Sequence, residues 1–229
     1  MSRRFVIAID GPAASGKSST AQWVARRLGF RHVDSGSLYR AATAARLRAG
    51  AAADWRETEV LDAAKRMVRL VPAEGVFIPH LDGAAADAEI RGMDVTRHVS
   101  VVARMQGVRE WVNQQVRDVA ASYSVVVDGR DMGSVVFPDA DVKIFLVADP
   151  WERARRRLVQ HLQRAPTDEE VAEETDRLVH RDARDSQQSG QAPDAVLLDT
   201  TYLTQEEQVD RIVALARAVT QRGDETSVS

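Results

Sequence analysis

The 229 residues, 44% of them hydrophobic, suffice to bury one sizeable core, and the length falls within the range of a single domain carrying insertions. A formal net charge of -3 excludes a global electrostatic pull toward nucleic acid or anionic membrane, although arginines cluster locally. The absence of cysteine excludes disulfides and thiolate metal sites, and the five histidines show no paired ligand spacing.

Met1-Ser-Arg-Arg4 leads straight into an apolar strand over Val6–Ile9 with no apolar leader. No later run approaches the ~20 apolar residues that span a bilayer, so a soluble, cytoplasmic protein without a membrane partner is expected. A helix follows from Ser18 to Leu28, stopped by Gly29. Next come a short strand near Phe30–Val33 and a helix from about Ser37 to Ala49, closed by Gly50. Asp54 to Leu70 has helical spacing. From Val71 to Ile90, Pro72, Gly75, Pro79 and Gly83 punctuate short apolar pieces and predict a small hairpin-like insert. Val95 to Ala121 reads as one or two helices with a break at Gly107, and Ser124 to Val127 as a strand ending in Asp128. Val142–Val147, bounded by Pro138 and Pro150, is long enough for a buried strand. Trp151–Gln163 and Thr167–Arg184 form two charged helices joined at Ala165-Pro166, a candidate lid. Ala195–Leu198 is the last strand, Gln205–Val219 the last helix, and Gln221–Ser229 a polar tail expected to fray. Strands alternating with helices predict an α/β fold built on a parallel sheet, and no repeat or low-complexity linker divides the chain.

Between the first strand and the first helix, Gly11-Pro12-Ala13-Ala14-Ser15-Gly16-Lys17-Ser18-Ser19 carries the pattern G-x-x-x-x-G-K-S of a phosphate-binding loop. Gly11 and Gly16 let backbone amides close around phosphate oxygens where a side chain would obstruct the approach. Lys17 supplies a point charge for β and γ phosphates, Ser18 can ligate Mg²⁺, and the helix N-terminus adds its partial positive charge. A Gly/Ser turn with a chance lysine would require neither the flanking strand nor the helix. ATP and Mg²⁺ are thus the expected donor and metal. Phosphate binding alone leaves a GTPase, an ATPase motor and a small-molecule kinase open. The chain has no Asn-Lys-x-Asp segment for reading guanine, is short for a motor domain and lacks a basic track for a polynucleotide. Nucleotides, not nucleic acid, are the expected partners.

Two further stretches place arginine where a second phosphate would sit. In Asp34-Ser-Gly-Ser-Leu-Tyr-Arg40 the hydroxyls of Ser35 and Tyr39 and the guanidinium of Arg40 are available to one anion, Arg40 through a bidentate fork. Equally, Asp34 or Ser35 is a simple N-cap there and Arg40 a solvated helix residue. In Val125-Val-Val-Asp-Gly-Arg-Asp131, Asp128 ends an apolar strand in the manner of a carboxylate holding the Mg²⁺ shell. Arg130 and Asp131 follow on the loop at the strand's carboxyl end, where open α/β sheets bind ligands; an Arg130–Asp131 salt bridge without a ligand is the alternative.

The segments AIDGPAASGKSS, DSGSLYRA, EIRGMDVTRHVS, VRE at 108–110, DGRDMGSVVFPDADVKIFLVA and RDARDS together resemble the bacterial cytidylate (CMP/dCMP) kinases over most of the chain. The resemblance implies a P-loop nucleoside monophosphate kinase fold: a five-stranded parallel sheet flanked by helices, a monophosphate-binding insert and a mobile lid. The chain would then be one kinase domain, with its core at 1–33, 123–150 and 192–221, a monophosphate-binding region at 34–122 with an insert at about 71–95, and a lid at about 151–191. A monomer is expected. By the same resemblance Tyr39, Arg40 and Arg130 hold the CMP phosphate, Ser100, Arg109 and Asp131 meet the cytosine, and Arg181 and Asp185 lie by the sugar. Lys17, Arg40, Arg130 and Arg181 would neutralise the charge on the transferring group, with Arg153, Arg157 and Arg184 as further lid candidates against a plainer role as exposed helix arginines. A carboxylate facing N4 of cytosine would meet the carbonyl of uracil acceptor to acceptor, a mismatch able to discriminate strongly.

One departure stands after the lid, where Gln188 replaces an arginine that the family pattern leads one to expect. Losing one charge-assisted contact costs about 1.5–3 kcal/mol, roughly ten- to a hundredfold in affinity. Two other readings therefore stay open at the level of sequence: a P-loop kinase for another, modified pyrimidine monophosphate, and a nucleotide-binding module without turnover.

Overall fold

The computed structural model describes residues 4–50, 55–185 and 190–226. They fall into two compact units: one from Gly29–Val127 with the segment ending at Arg4, the other from Phe5–Leu28 and the chain from Asp128 onward.

The chain enters the second of these through β1 (Val6–Asp10), whose Ile7, Ala8 and Ile9 are wholly buried. The loop 11–16 leads into α1 (Lys17–Leu28), where Thr20, Ala21, Val24 and Ala25 form one buried face at helical spacing. Gly29, at φ +69, ends this helix in the left-handed region.

The Gly29–Val127 unit begins with β2 (Arg31–Asp34) and α2 (Ser35–Arg48). Asp34 caps α2 by accepting the Ser37 N–H at 3.2 Å, which realises the N-cap alternative for that residue. Leu38, Ala41, Ala42, Thr43, Ala44 and Ala45 are all buried, because small side chains let α2 serve as the central helix of the unit. It packs on α3 (Glu57–Met67), α5 (Met93–Val102) and α6 (Gln106–Ser122); α4 (Asp87–Ile90) is a single turn.

Two expectations are corrected here. The helical spacing read over 54–70 stops at Met67; Asp54 itself lies outside the described residues. Val68 opens β3 (Val68–Ala73), which turns at Gly75 into β4 (Val76–Leu81) with Val68 opposite Leu81 and Ala73 opposite Val76. Cross-strand pairing of β-branched Val68 and Val71 overrides the local helical pattern. A hairpin thus stands where the sequence pattern predicts one, and it starts three residues earlier in sequence than Val71. A short β5 (Ala84–Ala85) pairs with β4, and β4 pairs in parallel with β2 at His32 and Val76. The second correction concerns the helix break, which falls at residues 103–105 and not at Gly107. Gly107 lies in the first turn of α6, where its N–H donates to Glu57 Oε1 at 2.8 Å. A Cβ there would stand 2.5 Å from that oxygen and 2.8 Å from Leu61 Cδ1, so the glycine admits a neighbouring helix.

β6 (Val125–Gly129) is buried throughout and carries the chain from one unit into the other after Val127. In the second unit it is followed by a π-helical turn over Met132–Val136, then β7 (Val142–Val147) and α7 (Pro150–Leu162). Asp149 caps α7 by accepting the Trp151 and Glu152 amides at 2.9 and 3.3 Å, with Pro150 at the first helical position. α8 (Asp168–Asp185) opens on a capping box in which Thr167 Oγ1 accepts from Glu170 N and Glu170 Oε2 from Thr167 N. This helix pair is the one expected as a lid. β8 (Val196–Asp199) and α9 (Gln205–Thr226) complete the unit, and α9 continues through residues expected to fray.

β1, β7 and β8 run parallel, with Ile9 opposite Ile144 and Ile144 opposite Val196. Their carboxyl ends at Asp10, Val147 and Asp199 therefore face the same way and carry the loops that follow. α1 and α9 pack against each other beside these strands. Parallel strands with flanking helices make the fold α/β, as the alternating sequence pattern predicts.

Candidate active site

The phosphate loop emerges from the buried end of β1. Gly11 adopts φ +154, and a Cβ on it would come within 2.5 Å of the Leu146 carbonyl oxygen, so no other residue fits without moving β7 backbone. The loop then turns through Ala14 at φ +58 and Gly16 at φ +84 before α1 begins. Ser15 Oγ is buried within it and has no hydrogen-bond partner among the described residues. Lys17 Nζ donates to Pro12 O at 3.1 Å, folded back along the loop. Ser19 Oγ lies 2.8 Å from Gly16 O and 3.0 Å from Gln205 Oε1, while Gln205 and Gln208 both bond Thr20 Oγ1, so α9 fastens the first turn of α1.

Below the loop, Ser18 Oγ donates to Asp128 Oδ2 at 2.5 Å, and Asp128 is only 1% exposed. A hydroxyl and a carboxylate in contact are hard oxygen donors suited to Mg²⁺. No group of three or more His, Asp or Glu that could hold a metal occurs among the described residues.

The loop after β6 joins this arrangement. Arg130 Nη1 donates to Gly11 O at 3.2 Å, and Asp131 is buried. The next two amides, of Met132 and Gly133, each donate 2.8 Å bonds to the two oxygens of Asp10. Burial pushes the Asp10 carboxyl up to about 6; the two amides and Lys17 oppose the rise, and the nearby Asp131 charge adds to it.

Helices α7 and α8 also reach the phosphate loop. Ala13, Ala154, Val171 and Leu178 form a buried apolar cluster with Ala14 and Leu158 packed against it. Beside it Arg153 Nη1 donates to Ala13 O at 2.8 Å and to Asp182 Oδ2 at 2.6 Å, while Asp182 Oδ1 accepts the Ala13 N–H at 3.1 Å. Arg130 Nη1 lies 3.9 Å from the same Asp182 oxygen. The plainer role as an exposed helix arginine is overturned for Arg153, which is 4% exposed and bonded through Nε to Ala148 O and through Nη1 to Ala13 O. Arg157 is half-buried and pairs with Glu174 at 2.9 Å. Arg181 lies one residue before Asp182 on α8 and is partly buried. The side chains of Arg184 and Asp185, and all of Gln188, lie outside the described residues.

In the Gly29–Val127 unit, Ser35, Tyr39 and Arg40 occupy the first turns of α2. Arg40 Nη1 donates to Thr96 Oγ1 at 3.1 Å and to Ile90 O at 3.3 Å, so it is anchored to α4 and α5 and is not a solvated residue. Ser100 lies on α5 and Arg109 on α6, the two helices that pack on α2. Arg109 Nη1 donates to Ala103 O at 3.4 Å, back across the break between those helices.

Sequence reasoning missed Asp10, Asp182 and the burial of Arg153. For Asp10 a signal existed, since a carboxylate ending a fully apolar strand must be bonded when buried. Asp182 stands inside RDARDS, but nothing local distinguishes it from the other charges there.

A family model described as Cytidylate kinase matches residues 7–218. The cytidylate kinase of Chlorobaculum tepidum is 38% identical, the match covering 95% of each chain. That of Desulfitobacterium hafniense is 42% identical over 94% of each. Among solved structures, an uncharacterized protein from Eubacterium ventriosum is similar in fold, with a TM-score of 0.50 and 12% identity over 94% of this chain and 99% of that one. With a family match over nearly the whole length and relatives at this identity, the chain belongs to the cytidylate kinase family.

Proposed function

We propose that the chain transfers the γ-phosphoryl group of ATP to the 5′-phosphate of CMP or dCMP, giving ADP and the nucleoside diphosphate. The observation that carries this reading is the Ser18–Asp128 contact beneath a phosphate loop, in a chain of the cytidylate kinase family. The acceptor phosphate is already an anionic nucleophile, so the protein's tasks are alignment and charge neutralisation, and no general base is required.

Residues 11–19 would cradle the triphosphate through their amides, with Lys17 exchanging the Pro12 carbonyl for the β and γ phosphates. Ser18 and, through water, Asp128 would hold Mg²⁺, which when bound neutralises charge between those phosphates. Tyr39, Arg40 and Arg130 would take the acceptor phosphate, with Ser35 beside them, and Ser100, Arg109 and Asp131 the base. Arg181 and Asp185 would serve the sugar as the lid closes, and Arg181 adds positive charge to the transferring group. Closure of α7 and α8 over the phosphate loop would exclude water and limit ATP hydrolysis. The chain would act as a monomer. Among the described residues no helix is long and apolar enough to cross a membrane.

The test is ADP release with ATP and Mg²⁺ in the presence of CMP, dCMP, UMP, AMP or no acceptor. Rapid turnover confined to CMP or dCMP is expected. Turnover with none of them, despite ATP binding, would leave only a nucleotide-binding role or a different pyrimidine acceptor.

A further inference from the structure

The buried carboxylate of Asp10 has no part in phosphate binding or in the Mg²⁺ pair, yet it makes two short bonds to consecutive amides of the loop that carries Arg130 and Asp131. It also ends β1 immediately before Gly11, so one residue touches the donor loop through the backbone and the acceptor loop through the side chain. We propose that Asp10 is a positioning residue for the acceptor nucleotide: by clamping the Met132 and Gly133 amides it fixes the direction in which Arg130 and Asp131 point. This inference rests on the reading that Arg130 and Asp131 bind the monophosphate.

Three features of the loop support it. After Asp131 the backbone winds into a π-helical turn, with Val136 N donating to Asp131 O at 3.2 Å and Phe137 N to Met132 O. The amides at the start of such a turn have no partner within it, and both are buried, so a carboxylate acceptor replaces the missing bonds. Gly133 keeps the start of the turn uncrowded, since a Cβ there would press on Lys143 Cγ at 3.3 Å while only touching Asp10 Oδ2 at 3.4 Å. Finally, Asp10 remains a carboxylate in a site where burial opposes its charge and Asp131 is a like charge close by, with Lys17 the opposing cation. Burial and a like charge both disfavour this carboxylate, so the bonds to the two amides are what hold it in place.

The experiment compares kcat and KM for CMP and for ATP in the wild type, Asp10→Asn, Asp10→Ala and Asp131→Ala. An asparagine keeps one acceptor oxygen and loses the other, so Asp10→Asn should raise KM for CMP about tenfold. Its KM for ATP should stay within about twofold, and Asp10→Ala should shift the CMP value further in the same direction. A structural role for a residue adjoining Gly11 would move both constants together, and that outcome, or an unchanged KM for CMP, overturns the proposal. If Asp131→Ala leaves CMP binding and CMP-over-UMP preference unchanged, the reading of the acceptor loop fails and the Asp10 proposal falls with it. If Asp131→Ala acts and Asp10→Asn does not, only the latter falls. Should Asp10→Ala not fold, amide hydrogen exchange in Asp10→Asn decides: exchange at Met132 and Gly133 must accelerate at least about tenfold while core amides keep their protection, and unchanged exchange refutes the clamp.

Discussion

The Ala13 N–H of the phosphate loop donates to Oδ1 of Asp182 on α8, 3.1 Å away. A carboxylate oxygen thus takes one of the loop amides available to a phosphate oxygen. The same carboxylate holds Arg153 of α7, whose guanidinium returns to the Ala13 carbonyl, so the two helices and the loop are joined by a closed ring of bonds. Asp182→Asn removes a negative charge from the edge of the triphosphate site and frees Arg153 and Arg130 from it. An ATP analogue that cannot transfer its γ-phosphate should bind about three- to tenfold more tightly to this variant, as read by titration calorimetry. Weaker binding would mean that the orientation given to Arg153 counts for more than the competition for Ala13.

Lys17 stands at the first position of α1 and folds back along the loop onto Pro12 O, away from the buried face of its helix. Lys17→Ala should therefore leave the thermal midpoint nearly unchanged while lowering kcat by about 10²–10³, the usual cost of removing one preorganised group aimed at developing charge. ADP release under saturating ATP and CMP measures the effect.

Asp131 is buried on the loop that Asp10 holds. Asp131→Ala should relax the choice of base, lowering kcat/KM for CMP far more than for UMP. A variant that kept the wild-type preference for CMP would show that another group reads N4 of cytosine.

The Asp10 carboxyl lies above its ordinary 3.8, at about 6, because burial disfavours the charge. The folded state then binds the proton more tightly than the unfolded chain, so unfolding releases protons between these values. The contribution of Asp10 to stability is fully present below pH 3.8 and is lost as the pH rises through 6. From pH 5 to 7.5 the stability of the wild type relative to Asp10→Asn should fall by about 1–1.5 kcal/mol. Urea unfolding of both proteins across that range checks the sign as well as the size.

The phosphate loop, the helix pair α7 and α8 and the hairpin of β3 and β4 were legible in the sequence because each depends on residues close together in the chain. Gly11, Gly16, Lys17 and Ser18 announce their conformation and chemistry within eight positions, and Pro150 and Asp149 mark a helix start by local capping alone. The exact end of α3 was not legible, since Met67 and Val68 satisfy a helical pattern equally well until β4 arrives to pair with them. Nor was the break before α6, where Gly107 answers to Glu57 and Leu61 on another helix.

What the sequence determined by itself is therefore the class of fold, the donor loop and the family. Only the tertiary structure decided which of several similar charges are held and by what. Asp10 finds its amides 122 positions away, Asp182 reaches Ala13 across 169, and Arg153 is buried between them across 140. No spacing rule encodes such distances, because a carboxylate or guanidinium carries the same local preferences whether it faces water or a buried amide. Its partner is set by how the strands and helices pack, and that packing separates Arg153, buried and bonded to the phosphate loop, from the exposed Arg155 two residues on along the same helix.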